Sequence, residues 1–273
     1  MAREFLVRKG LESAQLEADL LVAHALGTDR LGMLLKLEER VAPDQLDAAR
    51  EALVRRGRRE PVAYITGRRE FYGRPFLVGA GVLIPRPETE LLVDQAREVL
   101  EERGDDAAPA RVLDIGTGSG CLAVTLALEV EGLRPHAVDA SEDALAWARQ
   151  NGTALEADVE WIHGDGFDVL KRGAPWDLVV SNPPYIDPAH AEQLSPDVRD
   201  HEPAIALFGP ANDPDLWARE LVQNASRFLA PGGVLLVELG HDQAARLEGI
   251  VSGIQIVPDL SGVPRVLRLQ AGD

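Results

Sequence analysis

Val112-Leu113-Asp114-Ile115-Gly116-Thr117-Gly118-Ser119-Gly120 is an apolar run with one acid inside it and three alternating glycines at its end. It passes straight into a helical pattern beginning near Cys121. A strand buried on both faces, a turn with accessible backbone and a helix N-terminus account for that order. Without a Cβ, the turn lets a ligand approach the main chain closely. In an open parallel sheet, ligands bind beyond the carboxyl ends of the strands where the winding reverses, so position and composition both make this turn a site.

Outward from that turn the same rhythm continues. Short apolar runs at 111–115, 136–139, 159–163, 176–180, 234–239, 254–257 and 265–269 alternate with helical patterns, which predicts an α/β fold with a seven-stranded, mostly parallel sheet covered on both faces. The proline-rich stretch from Pro183 to Pro214 is too irregular for a plain crossover and reads as a functional loop. Upstream, residues 11–60 read as short helices, with Leu16, Leu20 and Leu21 on one face and Thr28 and Pro43 at helix starts. From Tyr64 to Pro87 glycine, proline and aromatic residues suit a hairpin or extended linker, and 88–103 is again helical. The expected organisation is a small N-terminal helical domain over 1–68 that recognises substrate, a hairpin linker over 69–87, and a sheet domain over 88–273.

The 273 residues carry a net charge of −17 with 45% hydrophobic side chains, which disfavours disorder and repeat scaffolds. No apolar run approaches the roughly 18 residues that span a bilayer, the charged start is unlike a signal peptide, and a lone Cys121 forms no internal disulfide. A cytoplasmic protein is expected. An acidic surface repels phosphate backbones, so nucleic acid is a disfavoured partner. Arg55, Arg56, Arg58, Arg59, Arg68, Arg69 and Arg74 crowd one stretch, either as solvated helix ends or as a docking patch.

Asp139 closes the second strand of the sheet, 19 residues past Gly120, where a carboxylate can accept from both ribose hydroxyls of an adenosine-containing cofactor. Gly118-x-Gly120-x-x-Ala123 also fits a dinucleotide fingerprint, so nicotinamide and S-adenosylmethionine chemistry both stand at this point. After the third strand, Asp165 is placed to take an adenine amine or to cap a helix, and Gly166 and Phe167 follow it. Cys121 reads as helix packing, and the six scattered histidines give no metal site.

The fourth strand ends in Asn182-Pro183-Pro184-Tyr185. The two prolines fix φ, remove two donors and favour extended geometry, so the Asn182 amide oxygen and the Pro183 carbonyl can face one ligand group. That makes a two-acceptor clamp for an NH₂. An amide or aromatic amine attacks carbon poorly; with both hydrogens held, its electron density is aimed along one line, and the carbonyl dipoles meet the positive charge that develops. The proton can leave after transfer, so no histidine or glutamate is needed beside the clamp. Tyr185 is expected to pack on the flat group.

Asp114 to Gly120 together with Asn182 to Tyr185 resembles the class I S-adenosylmethionine-dependent amino-methyltransferases. Glu60 to Gly67, Leu83 to Glu90, Ile186-Asp187, Glu202-Pro203-x-x-Ala206-Leu207 and Gly262 to Val266 narrow the likeness to the release factor glutamine methyltransferase family, in order over roughly residues 60–270. The resemblance implies a Rossmann-like methyltransferase sheet and S-adenosylmethionine-dependent methylation of N5 of the glutamine in the Gly-Gly-Gln tripeptide of class I peptide chain release factors. It implies Gly116, Thr117, Gly118, Ser119, Gly120 and Asp139 at the cofactor, to which position in the fold adds Asp165, Gly166, Phe167 and Asn182, and it implies Asn182, Pro183, Pro184 and Tyr185 at the glutamine, with Asn182, Pro183 and Tyr185 catalytic. The family commonly has an aromatic residue directly after the acid of the third strand; here Gly166 stands there. The segment Arg86 to Glu90 is implied as the roof of the pocket. The expected partner is a release factor met by a monomer, with no membrane and no direct nucleic acid. The alternatives are a nucleic-acid amino-methyltransferase acting on adenine N6 or guanine N2, a binding module without activity, and a nicotinamide dehydrogenase, which leaves the Asn182 to Tyr185 clamp without a purpose.

Overall fold

The computed structural model describes residues 1–35, 39–103, 108–173, 175–250 and 252–272. Its first segment is helical: α1 (Ala2–Arg8), α2 (Ala14–Ala25), α3 (Arg30–Leu35), α4 (Pro43–Gly57) and α5 (Val62–Thr66). Pro43 stands at the first helical position of α4, as expected. At α3 the cap is Asp29, whose carboxylate accepts from Gly32 N at 2.6 Å, in place of the expected Thr28. The expected face of α2 is split. Ala14, Ala18 and Leu21 are buried while Leu16 and Leu20 stay exposed, because small side chains let α2 lie close to its neighbours.

A hairpin follows, β1 (Arg68–Phe71) and β2 (Arg74–Leu77), closed by Tyr72 and Gly73 at positive φ. Phe71 and Phe76 bury themselves edge to face at 5.9 Å. An irregular stretch then reaches a 3₁₀ turn (Pro87–Thr89) and α6 (Glu90–Glu102). Four of the seven clustered arginines make structural contacts among the described residues. Arg55 pairs with Glu60, Arg59 reaches the carbonyls of Lys9 and Gly10, and Arg74 pairs with Glu129. Arg56, buried, binds Glu17 through two 2.9 Å bonds and Asp197 at 2.8 Å, tying the helical segment to the loop region after the fourth sheet strand.

The sheet runs through β3 (Val112–Ile115), α7 (Cys121–Glu129), β4 (His136–Asp139), α8 (Glu142–Ala154), β5 (Glu160–His163), α9 (Gly166–Gly173) and β6 (Trp176–Ser181). The 183–214 stretch carries a 3₁₀ turn (Pro188–Gln193), α10 (Pro196–His201) and α11 (Ala204–Leu207). Then come α12 (Leu216–Asn224), β7 (Leu229–Glu238), α13 (Gln243–Leu247), β8 (Gln255–Pro258) and β9 (Pro264–Gln270). Strand order is β5-β4-β3-β6-β7-β9-β8, parallel except around β9. All seven runs marked in the sequence are strands of this sheet. Alternation sends Val112, Val180 and Leu236 into the layer under α6 and α7, and Leu113, Val179 and Leu235 into the layer under α12. The winding reverses at β3, so the carboxyl ends of β3, β4 and β6 open on one crevice.

Candidate active site

That crevice holds a cavity of about 450 Å³. Gly116, Thr117, Gly118, Ser119, Asp139, Asp165, Gly166, Phe167, Asn182, Pro183 and Pro184 line it, as does the roof segment through Pro85, Arg86 and Thr89. Gly120 and Tyr185 do not. Gly120 caps α7 at φ 79°, where a Cβ would press on Trp161 at 3.0 Å and Ala148 at 3.2 Å, so helix packing explains that glycine.

The turn after β3 is pinned from below. Gly116 N and Thr117 N donate to Val138 O at 2.9 and 3.1 Å, and Thr117 Oγ1 donates to Asp114 Oδ2 at 2.7 Å. Gly116 has φ 71° and a Cβ there would meet nothing within 4 Å, so the backbone itself is the cavity wall. Burial pushes the Asp114 carboxyl up to about 7, against the pull of Thr117. Asn151, buried on α8, ties this turn to the hairpin: its Nδ2 donates to Ser119 O at 2.9 Å and Leu77 O at 3.0 Å, while its Oδ1 accepts from Leu77 N at 2.7 Å.

At the end of β4, Asp139 is oriented by Gly118 N on one oxygen (2.8 Å) and Ser141 N on the other (2.9 Å). Burial raises its carboxyl above the ordinary range. A carboxylate has acceptor capacity beyond these two bonds, and Asp139 lines the cavity. After β5, Asp165 Oδ1 accepts from Phe167 N at 2.8 Å, the helix-cap arrangement, and Asp165 also faces the cavity. A Cβ on Gly166 would lie 2.4 Å from Ile115 Cγ2, so no aromatic side chain fits there. The aromatic wall is Phe167 stacked on Trp217 (centroids 5.9 Å, 29° between planes). Cys121 also lines the cavity, its thiol pushed up to about 12 by burial, which disfavours the thiolate.

At the end of β6, Ser181 Oγ donates to Ile115 O at 2.9 Å, joining the two central strands beside the site. Asn182 Nδ2 donates to Thr89 Oγ1 at 3.1 Å, and among the described residues no protein donor reaches its Oδ1. The oxygen of the clamp is therefore the free end of the amide, on a cavity wall. Tyr185 stands apart. Its ring packs on Gly240, where a Cβ would come 2.9 Å from Tyr185 Cδ2, and borders a neighbouring hollow of about 390 Å³. Burial pushes its hydroxyl up to about 12. Asp187, Asp215 and Asp242 face that hollow, and its Arg246 is already engaged by Asp215 and Asp242. Glu202, buried in the loop after β6, accepts from Ile84 N at 3.0 Å and binds Arg86, which latches that loop to the roof.

Thr89, Asn151, Trp217 and Glu238 were not singled out by residue chemistry alone. Glu238 had a signal, an acid closing an otherwise apolar strand, and Asn151 and Trp217 had none beyond their type.

The fold and cavity define an α/β methyltransferase of the Rossmann-like kind. The fold matches, with TM-scores of 0.51 and 0.50, the human methyltransferase 10 domain containing protein (15% identity, 74% of this chain and 89% of that one) and the Thermus thermophilus 16S rRNA N2 G1207 methyltransferase (22%, 75% and 49%). Residues 1–67 match the PrmC N-terminal domain model and 89–196 the methyltransferase small domain model. Release factor glutamine methyltransferases of Neisseria gonorrhoeae (43% identity, 92% of both chains), Geobacter sulfurreducens (42%, 92% of this chain and 85% of that one) and Koribacter versatilis (40%, 93% and 90%) align along nearly the whole length. The chain belongs to the release factor glutamine methyltransferase family.

Proposed function

We propose that this chain uses S-adenosylmethionine to methylate N5 of the Gly-Gly-Gln glutamine of class I peptide chain release factors, as a cytoplasmic monomer acting on protein. The observation that carries the reading is the Asn182 carboxamide, with its nitrogen held on Thr89 and its oxygen unbonded at the cavity wall.

The cavity fits the cofactor on its own chemistry. Open space over Gly116, a carboxylate fixed at Asp139 and a paired aromatic wall at Phe167 and Trp217 suit an amino-acid tail, a ribose and a purine in turn. Bound there, the cofactor supplies a methyl group on a positively charged sulfur. The turn from Gly116 to Ser119 and Asp139 would bind its amino-acid tail and ribose, and Asp165, Phe167 and Trp217 would hold the adenine.

Asn182 Oδ1 and the Pro183 carbonyl accept the two hydrogens of the glutamine amide, which fixes the plane of that group and excludes water from it. As positive charge grows on N5, these two dipoles stabilise it with no reorganisation. The neighbouring hollow beside Tyr185 is lined by Asp187, Asp215 and Asp242, which disfavours a phosphate backbone there and argues against the nucleic-acid alternative. The test is transfer of labelled methyl from the cofactor to purified release factor, RNA and DNA offered in parallel. Label in the release factor alone is expected; label in nucleic acid alone overturns the reading.

A further inference from the structure

Glu238 is the last residue of β7 and 1% exposed, and its Oε2 has no hydrogen-bond partner among the described residues. The four residues before it, Val234 to Val237, are buried and apolar. A carboxyl in that position costs folding free energy that an apolar side chain would not. The parallel register Ser181↔Val237 sets Glu238 beside Asn182 at the ends of adjacent strands. Thr89, Asn182 and Arg265 of β9 lie near enough to favour its charged form, and Glu88 opposes that. Tyr185 and Cys121 are the other titratable groups whose surroundings include it.

We propose that Glu238 is a positioning residue that decides which end of the Asn182 carboxamide faces the substrate, an inference that rests on the amide-methylation reading above. The two ends of a carboxamide have nearly the same shape and opposite hydrogen-bonding character. Thr89 alone does not choose between them, because a hydroxyl can donate or accept. An ionised carboxylate only accepts. With Glu238 charged, the Thr89 hydrogen can turn to the carboxylate, which leaves the Thr89 oxygen to accept from Asn182 Nδ2, the bond observed at 3.1 Å, and leaves Oδ1 for the cavity. With Glu238 protonated by solvent, its O–H becomes a donor and Thr89 is free to donate to Oδ1. The amide then turns its NH₂ toward the NH₂ of the substrate, and the clamp fails. Burial pushes the Glu238 carboxyl up to about 7, which brings this exchange into an accessible pH range.

Two measurements test this. The first needs no activity and no cofactor: side-chain ¹⁵N signals of the four asparagines, with Asn182 assigned by its loss in Asn182→Ala, followed from pH 5.5 to 8.5. The Asn182 NH₂ signals are expected to titrate with a midpoint near that of Glu238 and to stop titrating in Glu238→Gln. The second is the pH profile of kcat. The wild type is expected to lose activity as pH falls through that midpoint. Glu238→Gln is expected to lose roughly 10-fold or more in kcat with a flattened profile, while the KM for cofactor changes less than about 2-fold. Wild-type Asn182 signals that do not move over this range overturn the proposal even if the variant does not fold. So does a folded Glu238→Gln that keeps the wild-type kcat and profile. A wild type that methylates no glutamine sinks the functional reading instead, and the titration still decides the role of Glu238.

Discussion

Asn182 Nδ2 rests on Thr89 Oγ1 at 3.1 Å, so the tip of β6 is held by the turn that opens α6, 93 positions earlier in the chain. Thr89 is 3% exposed, and deleting its hydroxyl leaves the amide nitrogen without this partner. Losing one partner of a buried polar pair costs about 1–3 kcal/mol. Thr89→Val is therefore expected to lower kcat by roughly 10-fold or more, with cofactor affinity nearly unchanged; steady-state kinetics at saturating cofactor checks it.

Asp139 acts on the other half of the reaction. Its carboxylate is set by Gly118 and Ser141 and faces the place proposed for the ribose. Asp139→Ala is expected to weaken S-adenosylmethionine binding by about 10- to 100-fold, the range for a lost hydrogen bond to a charged group. Calorimetric titration gives the affinity directly. An unchanged affinity would place the ribose elsewhere.

Asp114 makes the apo protein sensitive to pH. Its folded carboxyl is raised from an ordinary value of 3.8 to about 7 by burial, so the folded state holds a proton that the unfolded chain releases. Stability from this group is full below about pH 4 and is lost as pH rises toward 7. In urea unfolding, the wild type is expected to be less stable at pH 8 than at pH 5, and Asp114→Asn to remove part of that difference, on the order of 1–3 kcal/mol. A variant with the full wild-type slope would show that Asp114 titrates normally.

Most of the sheet is readable in sequence because central parallel strands, covered on both faces, leave uninterrupted apolar runs. The first part of β7 is not readable. Leu229-Ala230-Pro231-Gly232-Gly233 has the composition of a turn, yet it extends the strand, with a register shift between Trp176 and Leu178 on β6. The glycine turn and the Asn-Pro-Pro-Tyr clamp are local signals, carried by backbone conformation and spacing. Trp217 lines the cavity and Glu238 stands beside Asn182 only because the fold brings α12 and β7 there, and local pattern does not encode that. Gly120 shows the reverse, a motif position whose glycine answers to Trp161 and Ala148 rather than to the cavity.

Arg56 links the helical N-terminal segment to α10 through Glu17 and Asp197. Its partners are 16% and 25% exposed, so they can rehydrate when it is removed, and the loss is smaller than for a fully sealed pair. Arg56→Met is expected to cost about 1–2 kcal/mol and to speed proteolysis in the loop carrying Asp197. Thermal unfolding and limited digestion check both, and equal digestion rates would argue against the tie.

The central claim is that Asn182 presents an acceptor to a glutamine amide. The most direct measurement is tandem mass spectrometry of a class I release factor after incubation with S-adenosylmethionine and either wild type or Asn182→Ala. The account predicts one added methyl on the Gly-Gly-Gln glutamine with wild type, and at least about 100-fold slower appearance with the variant, at unchanged cofactor affinity. Methylation of that glutamine by Asn182→Ala at the wild-type rate would contradict it.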